Sequence, residues 1–222
     1  ENKVKAYRSK GKKVKAVIGV DYAGYPCDWQ ALREIADKYN LQLVNDNCHA
    51  MGASYFGDQQ YAAKYADVVT QSYHPVKQIT TGEGGAVLTN DTTIDEKVRR
   101  LRNHGMTKNS NQLGNNYDPW FYEMHEIGYN YRITDFQCAM GSSQLKKLSG
   151  FVHKRHEISK RYDKFFSNVD NLKIPETDCL VDHAYHLYPL QIDFEKLSLT
   201  KMVFFEKMLL PFSICFYSHF FS

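Results

Sequence analysis

The sequence predicts an α/β fold built on a sheet that is at least partly parallel. Short runs of β-branched and apolar residues recur along the first two thirds of the chain. Segments with apolar residues at helical spacing follow several of these runs, and loops rich in turn residues separate the two kinds of segment. Buried strands that alternate with helices are typical of parallel sheets covered by helices.

Four short segments are predicted strands because they are apolar and rich in β-branched residues. They cover residues 14–20, 41–44, 66–72 and 85–89, and Asp46 follows directly after the second. The first is followed by a loop, and the third ends just before a loop that contains Lys77.

Helices are predicted where apolar residues repeat at helical spacing. Asp28 is the predicted N-cap of the first helix, and Gly105 lies near the end of the next. The helical spacing is carried by Trp29, Leu32, Ile35, Ala36 and Tyr39 in the first and by Ile94, Val98 and Leu101 in the second.

The last third of the chain predicts two further helices and the start of a second unit. Thr134 and Gln137 form a capping box that opens a helix to about Leu148. A break is expected at Gly150, and a longer amphipathic helix is expected over 151–167. Residues 183–192 are expected to form a strand of a second, smaller unit.

Composition narrows the class of protein. A net charge of +3 over 222 residues does not favour a nucleic-acid partner, and the basic residues near the start are interpreted as a solvated surface. Five cysteines without a CxxC pair favour reduced thiols in a cytoplasmic protein. The apolar tail is too short for a transmembrane helix, so no membrane partner is expected. Because the chain lacks a starting Met and ends on that tail, it is interpreted as a fragment, and residues 209–222 are suspected to be aberrant sequence.

The segment SYHPVKQITTGEGGAVLTN places Lys77 between Ser72 and a cluster of glycines. A phosphate-binding P-loop needs the lysine directly after a glycine and at the start of a helix, and this segment has neither. The dinucleotide motif GxGxxG is absent too, because the run from Gly82 to Gly85 lacks the third glycine at the required offset, and no helix is expected to open there. An ordinary loop lysine and a bond-forming lysine remain.

Strand geometry is compatible with a bond-forming lysine. Ligands of open α/β sheets bind outside the carboxyl ends of the strands. Lys77 and Asp46 follow two such ends, and they share one crevice if the strands are parallel neighbours. An amine and a carboxylate suit pyridoxal phosphate, which needs a lysine for its Schiff base and an acid beside its ring nitrogen. On this geometry alone, however, a surface lysine and a loop aspartate are the favoured interpretation.

Several motifs, in the same order and with similar spacing, make the chain resemble the DegT/DnrJ/EryC1/StrS sugar aminotransferases from about residue 14 to 208. The motifs are Asp46-Asn47-Cys48-His49-Ala50, Ser72-Tyr73-His74-Pro75-Val76-Lys77, Thr81-Gly82-Glu83-Gly84-Gly85, Gly128-Tyr129-Asn130-Tyr131-Arg132-Ile133-Thr134-Asp135 and Tyr185-His186-Leu187-Tyr188. The resemblance implies a fold-type I pyridoxal phosphate enzyme with a three-layer α/β/α domain and a mostly parallel sheet. Residues 1–149 would then be the C-terminal part of the large domain, and 150–222 a linking helix and an incomplete small α/β domain.

The resemblance also implies roles for individual residues. Lys77 would form the Schiff base with the cofactor and shuttle the proton during transamination. Asp46 would pair with the protonated ring nitrogen, and His49 would lie near the phenolic oxygen. Ser72 would donate to the phosphate. Asn130 would reach the phosphate of the neighbouring subunit's cofactor, which implies a homodimer with shared active sites.

The implied reaction is amination at C4 of a UDP-linked 4-keto-6-deoxy-N-acetylhexosamine with glutamate as the donor. Relatives carry an upstream segment with a phosphate-binding turn and a ring-stacking aromatic residue, and this chain lacks both. A truncated inactive relative and a different nucleotide-sugar 3-/4-aminotransferase are therefore the alternatives. A dehydratase of the same family is disfavoured, because those enzymes are expected to carry His where this chain has Lys77.

The remaining His and Cys candidates do not indicate a metal site or a nucleophile. His183 and His186 are expected to point to opposite faces of a strand, which makes them poor metal co-ligands. His153 and His156 are interpreted as part of a solvated helix face, so no metal is expected. Cys48 is expected to face the core rather than to act as a nucleophile.

Overall fold

A computed structural model describes residues 1–109, 111–114, 118 and 120–208. The suspected aberrant segment 209–222 lies outside the described residues. The strands, in chain order, are β1 Ala16–Val20, β2 Gln42–Asp46, β3 Ser54–Tyr55, β4 Val68–Ser72, β5 Gly85–Leu88, β6 Met106–Thr107, β7 Glu123–Met124, β8 Leu172–Lys173, β9 Val181–Asp182 and β10 Gln191–Ile192. The α-helices are α1 Asn2–Ser9, α2 Trp29–Tyr39, α3 Tyr61–Tyr65, α4 Thr92–Leu101, α5 Asp135–Leu145 and α6 Leu148–Phe166.

The main sheet has the order β1-β2-β4-β5. β1 and β4 both run parallel to β2, whereas β5 is antiparallel to β4. The α/β prediction with a mostly parallel sheet is therefore confirmed, and the four predicted strands correspond to these four.

One face of the sheet carries the core. Leu43, Asn45 and Val69 are fully buried on this face, and α2 and α3 contact the strands there. Alternate residues point the other way, as the two-residue period of a strand requires. Ile18 on β1 is accordingly 66% exposed. A cavity of about 850 Å³ is lined by residues of α4 and β5.

Local capping explains where the predicted helices begin. The Asp28 carboxylate accepts a hydrogen bond from the Ala31 N–H at 3.1 Å, at the start of α2. Thr134 and Gln137 form the predicted capping box at the start of α5. Both caps supply acceptors for N–H groups that lack a partner within the helix.

The break expected at Gly150 is wrong. α5 ends at Leu145 and α6 begins at Leu148, so Gly150 lies inside α6. A glycine in a helix costs only about 1 kcal/mol relative to alanine, which the surrounding helix tolerates.

The strand expected over 183–192 is also wrong for most of its length. Gln191–Ile192 alone forms a strand there, paired with β8. Tyr185 has a φ of 44°, which is incompatible with an extended strand. The backbone of Ala184 bonds instead to the Gly24 carbonyl at 2.9 Å, so a loop–loop contact replaces the strand.

The chain divides into two compact units. The first comprises Glu1–His156 and Thr177–Leu187 and contains the main sheet and the β3–β9 pair. The second comprises Glu157–Glu176 and the described residues from Tyr188 onward, including the β8–β10 pair. The predicted domain boundary at 149/150 stays a prediction. Among the described residues, no helix is both long and apolar enough to cross a membrane.

Candidate active site

The candidate site lies at the edge of the sheet where β2 and β4 end. The two strands are parallel neighbours, and Asp46 pairs with Thr70 in their register. Ser72 ends β4 two residues beyond Thr70, on the same face of the strand. The parallel pairing that the sequence argument required is thus present, and it places both strand ends at one edge.

Lys77 lies in a loop that is closed at its base by backbone hydrogen bonds. The Tyr73 N–H donates to the Gly84 carbonyl at 2.9 Å, and the Thr81 N–H donates to the Tyr73 carbonyl at 3.0 Å. Lys77 itself donates its N–H to the His74 carbonyl at 3.0 Å within a turn. The side chain of Lys77 is half-buried, which suits an amine that must contact a ligand rather than bulk water.

Glycines at the end of this loop are required by geometry. Gly84 has a φ of 157°, and a Cβ there would lie 2.5 Å from the Thr81 hydroxyl. A Cβ at Gly85 would lie 2.6 Å from the Gln71 carbonyl oxygen. The glycines therefore let the loop return to β5.

Gln78 connects the lysine loop to the segment after β2. Its side-chain amide donates to the His49 carbonyl, and only 4% of the residue is exposed. This contact holds Gln78, the direct neighbour of Lys77, against His49. Sequence reasoning missed Gln78, although its place beside Lys77 was visible.

His49 lies within electrostatic reach of both Lys77 and Asp46. Burial lowers the pKa of His49, the Lys77 charge lowers it further, and the Asp46 charge opposes this shift. The net shift therefore favours the neutral form of the His49 imidazole. The structure thus brings together three of the predicted site residues.

The tautomer of His49 follows from its hydrogen bond to the backbone. The Ala23 N–H donates to Nδ1 of His49 at 3.3 Å, so Nδ1 is an acceptor and the proton resides on Nε2. Ala23 has a φ of 61°, an unusual conformation for a residue with a side chain. No sequence pattern announces such a conformation in an alanine, and sequence reasoning missed Ala23.

Asp46 keeps acceptor capacity for a ligand. Its carboxylate accepts from the Cys48 N–H at 3.2 Å, and the side chain is half-buried. Ser72 accepts from the His74 N–H at 3.4 Å, which leaves its hydroxyl proton available for donation.

Asn130 lies away from this group of contacts. It is exposed and forms a backbone bridge with Asn103. Within the described residues, no hydrogen bond joins its side chain to Asp46, Ser72 or Lys77.

Cys48 does not have the properties of a nucleophile. Burial and the neighbouring Asp46 raise the pKa of its thiol to about 11. A thiol with that pKa is almost entirely protonated at neutral pH. The described part of the chain also contains no cluster of His, Cys, Asp and Glu side chains that could hold a metal ion.

The residues at this edge fit pyridoxal phosphate by their chemistry. An amine, a carboxylate, an imidazole N–H and a hydroxyl gather at the ends of two parallel strands. A half-buried amine can bond to the cofactor's aldehyde, and a carboxylate can accept from its ring nitrogen. One further buried atom, Nδ1 of His186, has no hydrogen-bond partner in the described residues and lies on the ring packed against His49.

Comparisons with known proteins point in the same direction. The family model described as "DegT/DnrJ/EryC1/StrS aminotransferase family" matches residues 2–220. A Campylobacter jejuni protein named UDP-4-amino-4,6-dideoxy-N-acetyl-beta-L-altrosamine transaminase is 37% identical over 194 residues, which are 87% of this chain and 49% of that protein.

Solved structures are similar as well. The Helicobacter pylori aminotransferase PseC, described as involved in the biosynthesis of pseudoaminic acid, superposes with a TM-score of 0.74 at 33% identity, over 85% of this chain and 48% of that one. A Streptococcus pneumoniae protein solved in its PLP form has a TM-score of 0.65 at 26% identity, over 81% of this chain and 48% of that one. The chain therefore spans about half the length of the relatives that it matches.

Proposed function

The chain belongs to the DegT/DnrJ/EryC1/StrS aminotransferase family, whose enzymes depend on pyridoxal phosphate, and on that premise we propose that Lys77 is the lysine to which the cofactor attaches. The observation that carries this proposal is the parallel pairing of β2 and β4, which places Asp46 and the start of the Lys77 loop at one edge of the sheet. The charges of Lys77 and Asp46 both influence the pKa of His49, which is consistent with that placement.

Each polar residue at this edge has a proposed part in holding the cofactor. The Asp46 carboxylate accepts from the ring nitrogen, and Nε2–H of His49 donates to the phenolic oxygen. The Ser72 hydroxyl donates to the phosphate. The Asn130 amide reaches the phosphate in the partner of a homodimer, which is consistent with its exposed position.

The proposed catalytic group is the Lys77 amine. When bound, pyridoxal phosphate supplies an electron sink for negative charge on the amino-bearing carbon. Lys77 would remove the proton from that carbon as a general base. It would then deliver a proton to C4′ of the cofactor as a general acid. The half-burial of Lys77 limits the access of water to this proton.

The proposed substrate of the whole enzyme is a UDP-linked 4-keto-6-deoxy-N-acetylhexosamine, aminated at C4 with glutamate as the donor. The name of the Campylobacter jejuni relative, at 37% identity, supports this choice. The description of the Helicobacter pylori structure supports a place in pseudaminic acid biosynthesis. A different nucleotide-sugar 3-/4-aminotransferase is the alternative. The free thiols of Cys27, Cys48, Cys138 and Cys179 suit the cytoplasmic location proposed for such an enzyme.

Attachment of the cofactor is the direct test, because it depends on residues within this chain. The chain is mixed with pyridoxal phosphate, treated with borohydride and digested, and the labelled peptide is identified by mass spectrometry. We expect a visible absorbance band that borohydride abolishes, and the label on Lys77.

The matched variants are Lys77→Ala and Lys64→Ala. The Lys64 amine is exposed and pairs with Asp58 at 3.4 Å, so it serves as the control lysine. Lys77→Ala should lose the band, and Lys64→Ala should keep it. A band of unchanged intensity in Lys77→Ala would show that the lysine has been assigned wrongly.

Turnover tests the substrate and separates an enzyme from an inactive relative. The chain with cofactor is incubated with glutamate and the UDP-linked 4-keto sugar, and the amino sugar is measured by mass spectrometry. Formation of the 4-amino sugar would support the proposal. Attachment at Lys77 without turnover would favour the inactive alternative for this chain.

A further inference from the structure

His186 packs directly against His49, outside the set of residues assigned above. The two ring centroids lie 4.3 Å apart with an angle of 39° between the ring planes. His49 also contacts Tyr22 on another side, with ring centroids 6.0 Å apart. His49 therefore packs against two aromatic rings, and the His186 ring is the nearer of the two.

Backbone hydrogen bonds hold the His186 segment in place. The Ala184 N–H donates to the Gly24 carbonyl at 2.9 Å, and the Leu187 N–H donates to the Ala23 carbonyl at 3.0 Å. These bonds flank His186 on both sides. They join its segment to the residue whose N–H bonds to Nδ1 of His49.

Gly24 makes this close approach possible. Its φ is 101°, and a Cβ there would lie 2.9 Å from the His49 carbonyl oxygen and 3.0 Å from the His186 nitrogen. The loop between β1 and α2 thus passes tightly between the segments that carry the two histidines.

Arg155 holds the backbone turn at Tyr185 and His186 in place. Its guanidinium donates to the Tyr185 carbonyl at 2.9 Å and to the His186 carbonyl at 3.3 Å. Tyr185 has a φ of 44°, so the two carbonyls that Arg155 binds belong to a sharp turn rather than to a strand. This turn directs the His186 ring toward His49.

The His186 ring is uncharged at neutral pH. Burial lowers its pKa to about 4, and the charges of His49, Lys77 and Arg155 lower it in the same direction. No acidic side chain is among these influences. Its contact with His49 at pH 7 is therefore one of packing between two neutral rings.

We propose that His186 is a positioning residue, whose ring keeps His49 bonded to the Ala23 N–H and so keeps Nε2–H directed at the cofactor. The inference rests on the proposed function for the identity of the ligand. Rotation of His49 about its side-chain bonds would break the Ala23 bond and present a different nitrogen. In this proposal, the His186 ring packed 4.3 Å from the His49 ring opposes such a rotation.

The test reads the His49 ring without cofactor. The chain is labelled with ¹⁵N-histidine, and long-range ¹H–¹⁵N NMR spectra report the tautomer and the titration of each imidazole. In the wild-type chain we expect His49 as the Nε2–H tautomer alone. In His186→Ala we expect a mixture of tautomers and a titration midpoint higher by about half a pH unit or more, because water reaches the ring.

Two variants separate positioning from general stability. His186→Phe keeps a flat ring, so it should restore the single tautomer of His49. His153→Ala, at an exposed position on α6, is the control and should leave the His49 signals unchanged. Thermal unfolding of each variant verifies that the chain remains folded.

The outcomes are distinct. If His49 keeps one tautomer and its wild-type midpoint in folded His186→Ala, the positioning role is overturned. If His186→Phe behaves like His186→Ala, packing of the ring is not the cause, and the proposal fails.

A second readout uses the cofactor band. His186→Ala should retain attachment at Lys77 but shift the pH at which the band titrates, because the donor to the phenolic oxygen is no longer fixed. An unshifted titration in this variant would contradict the proposal. Absence of the band in the wild-type chain would instead overturn the proposed function and leave the NMR result to decide on His186 alone.

Discussion

Asp21 and Asp46 lie at the ends of two neighbouring parallel strands, but Asp46 pairs with Val20, so the two aspartates are one position apart in register and their surroundings differ. Asp21 follows β1 and is completely buried. Asp46 ends β2, is half-buried, and receives its hydrogen bonds within the described residues from Cys48. The donors to Asp21 are Cys27 N–H at 2.8 Å, Trp29 Nε1–H at 2.9 Å, Asn47 Nδ2–H at 3.0 Å and Tyr61 O–H at 2.8 Å.

The difference separates a carboxylate that holds the fold from one that can hold a ligand. Trp29 opens α2 and Tyr61 opens α3, so Asp21 ties both helices to the end of β1. Burial raises the pKa of Asp21, and its hydrogen bonds oppose that shift. Its acceptor capacity is filled by the protein, whereas Asp46 has oxygen lone pairs left for an external donor.

The largest expected effect comes from replacing each aspartate by asparagine. Asp21→Asn places an amide N–H₂ among groups that donate, and charged hydrogen bonds are lost inside the core. We expect a loss of about 3 kcal/mol or more in the free energy of unfolding. Asp46→Asn can still accept from Cys48 N–H, so we expect a loss below about 1 kcal/mol. Urea denaturation followed by circular dichroism measures both.

Cofactor binding should reverse the order of the two variants. Asp46→Asn removes the charge proposed to face the ring nitrogen, so folded Asp46→Asn should bind pyridoxal phosphate at least about tenfold more weakly than the wild-type chain. Equal stability losses in the two variants, or wild-type cofactor binding by Asp46→Asn, would remove the distinction between the two aspartates.

The thiol beside each aspartate provides a second comparison. Burial, together with Asp21, raises the pKa of Cys27 to about 12, and burial with Asp46 raises that of Cys48 to about 11. Cys138 and Cys179 are exposed and serve as internal references. Because the thiolate is the reactive form, we expect iodoacetamide to label Cys27 and Cys48 at least about 100-fold more slowly at pH 8.

Labelling is followed by peptide mapping over time. Both slow rates should stay well below those of the exposed Cys138 and Cys179 throughout the time course. Rapid labelling of Cys27 would mean that the Asp21 network opens readily in solution. Such a result would contradict its assignment to the fold.

The sequence was sufficient for much of this edge of the sheet. Hydrophobic runs located β1, β2 and β4, and the rule that ligands bind at strand ends selected Asp46 and Lys77. The same rule applies equally to Asp21, which follows β1 directly. Sequence reasoning did not consider Asp21, and no local pattern shows that Tyr61, 40 residues away, fills its lone pairs.

The contacts around His49 were beyond sequence reasoning for a related reason. They depend on backbone conformations at Ala23 and Tyr185 that are rare for such residues, so propensity predicts against them. The predicted strand over 183–192 follows from ordinary alternation, and the turn that replaces it is stabilised by Arg155 from a distant helix. In this segment, tertiary hydrogen bonds override the local preference for a strand.

Tyr61→Phe is the mildest test of the comparison, because it removes one donor from Asp21 and leaves the packing nearly unchanged. Burial raises the pKa of Tyr61, so its hydroxyl stays protonated and donates to Asp21 at 2.8 Å. We expect a loss of about 1–2 kcal/mol in the free energy of unfolding, since the remaining donors still hydrogen-bond the Asp21 carboxylate. Tyr7→Phe, at a position 55% exposed, is the control and should change stability by less than about 0.5 kcal/mol. Equal effects of the two variants in urea denaturation would show that the Tyr61 hydroxyl adds nothing to the buried network.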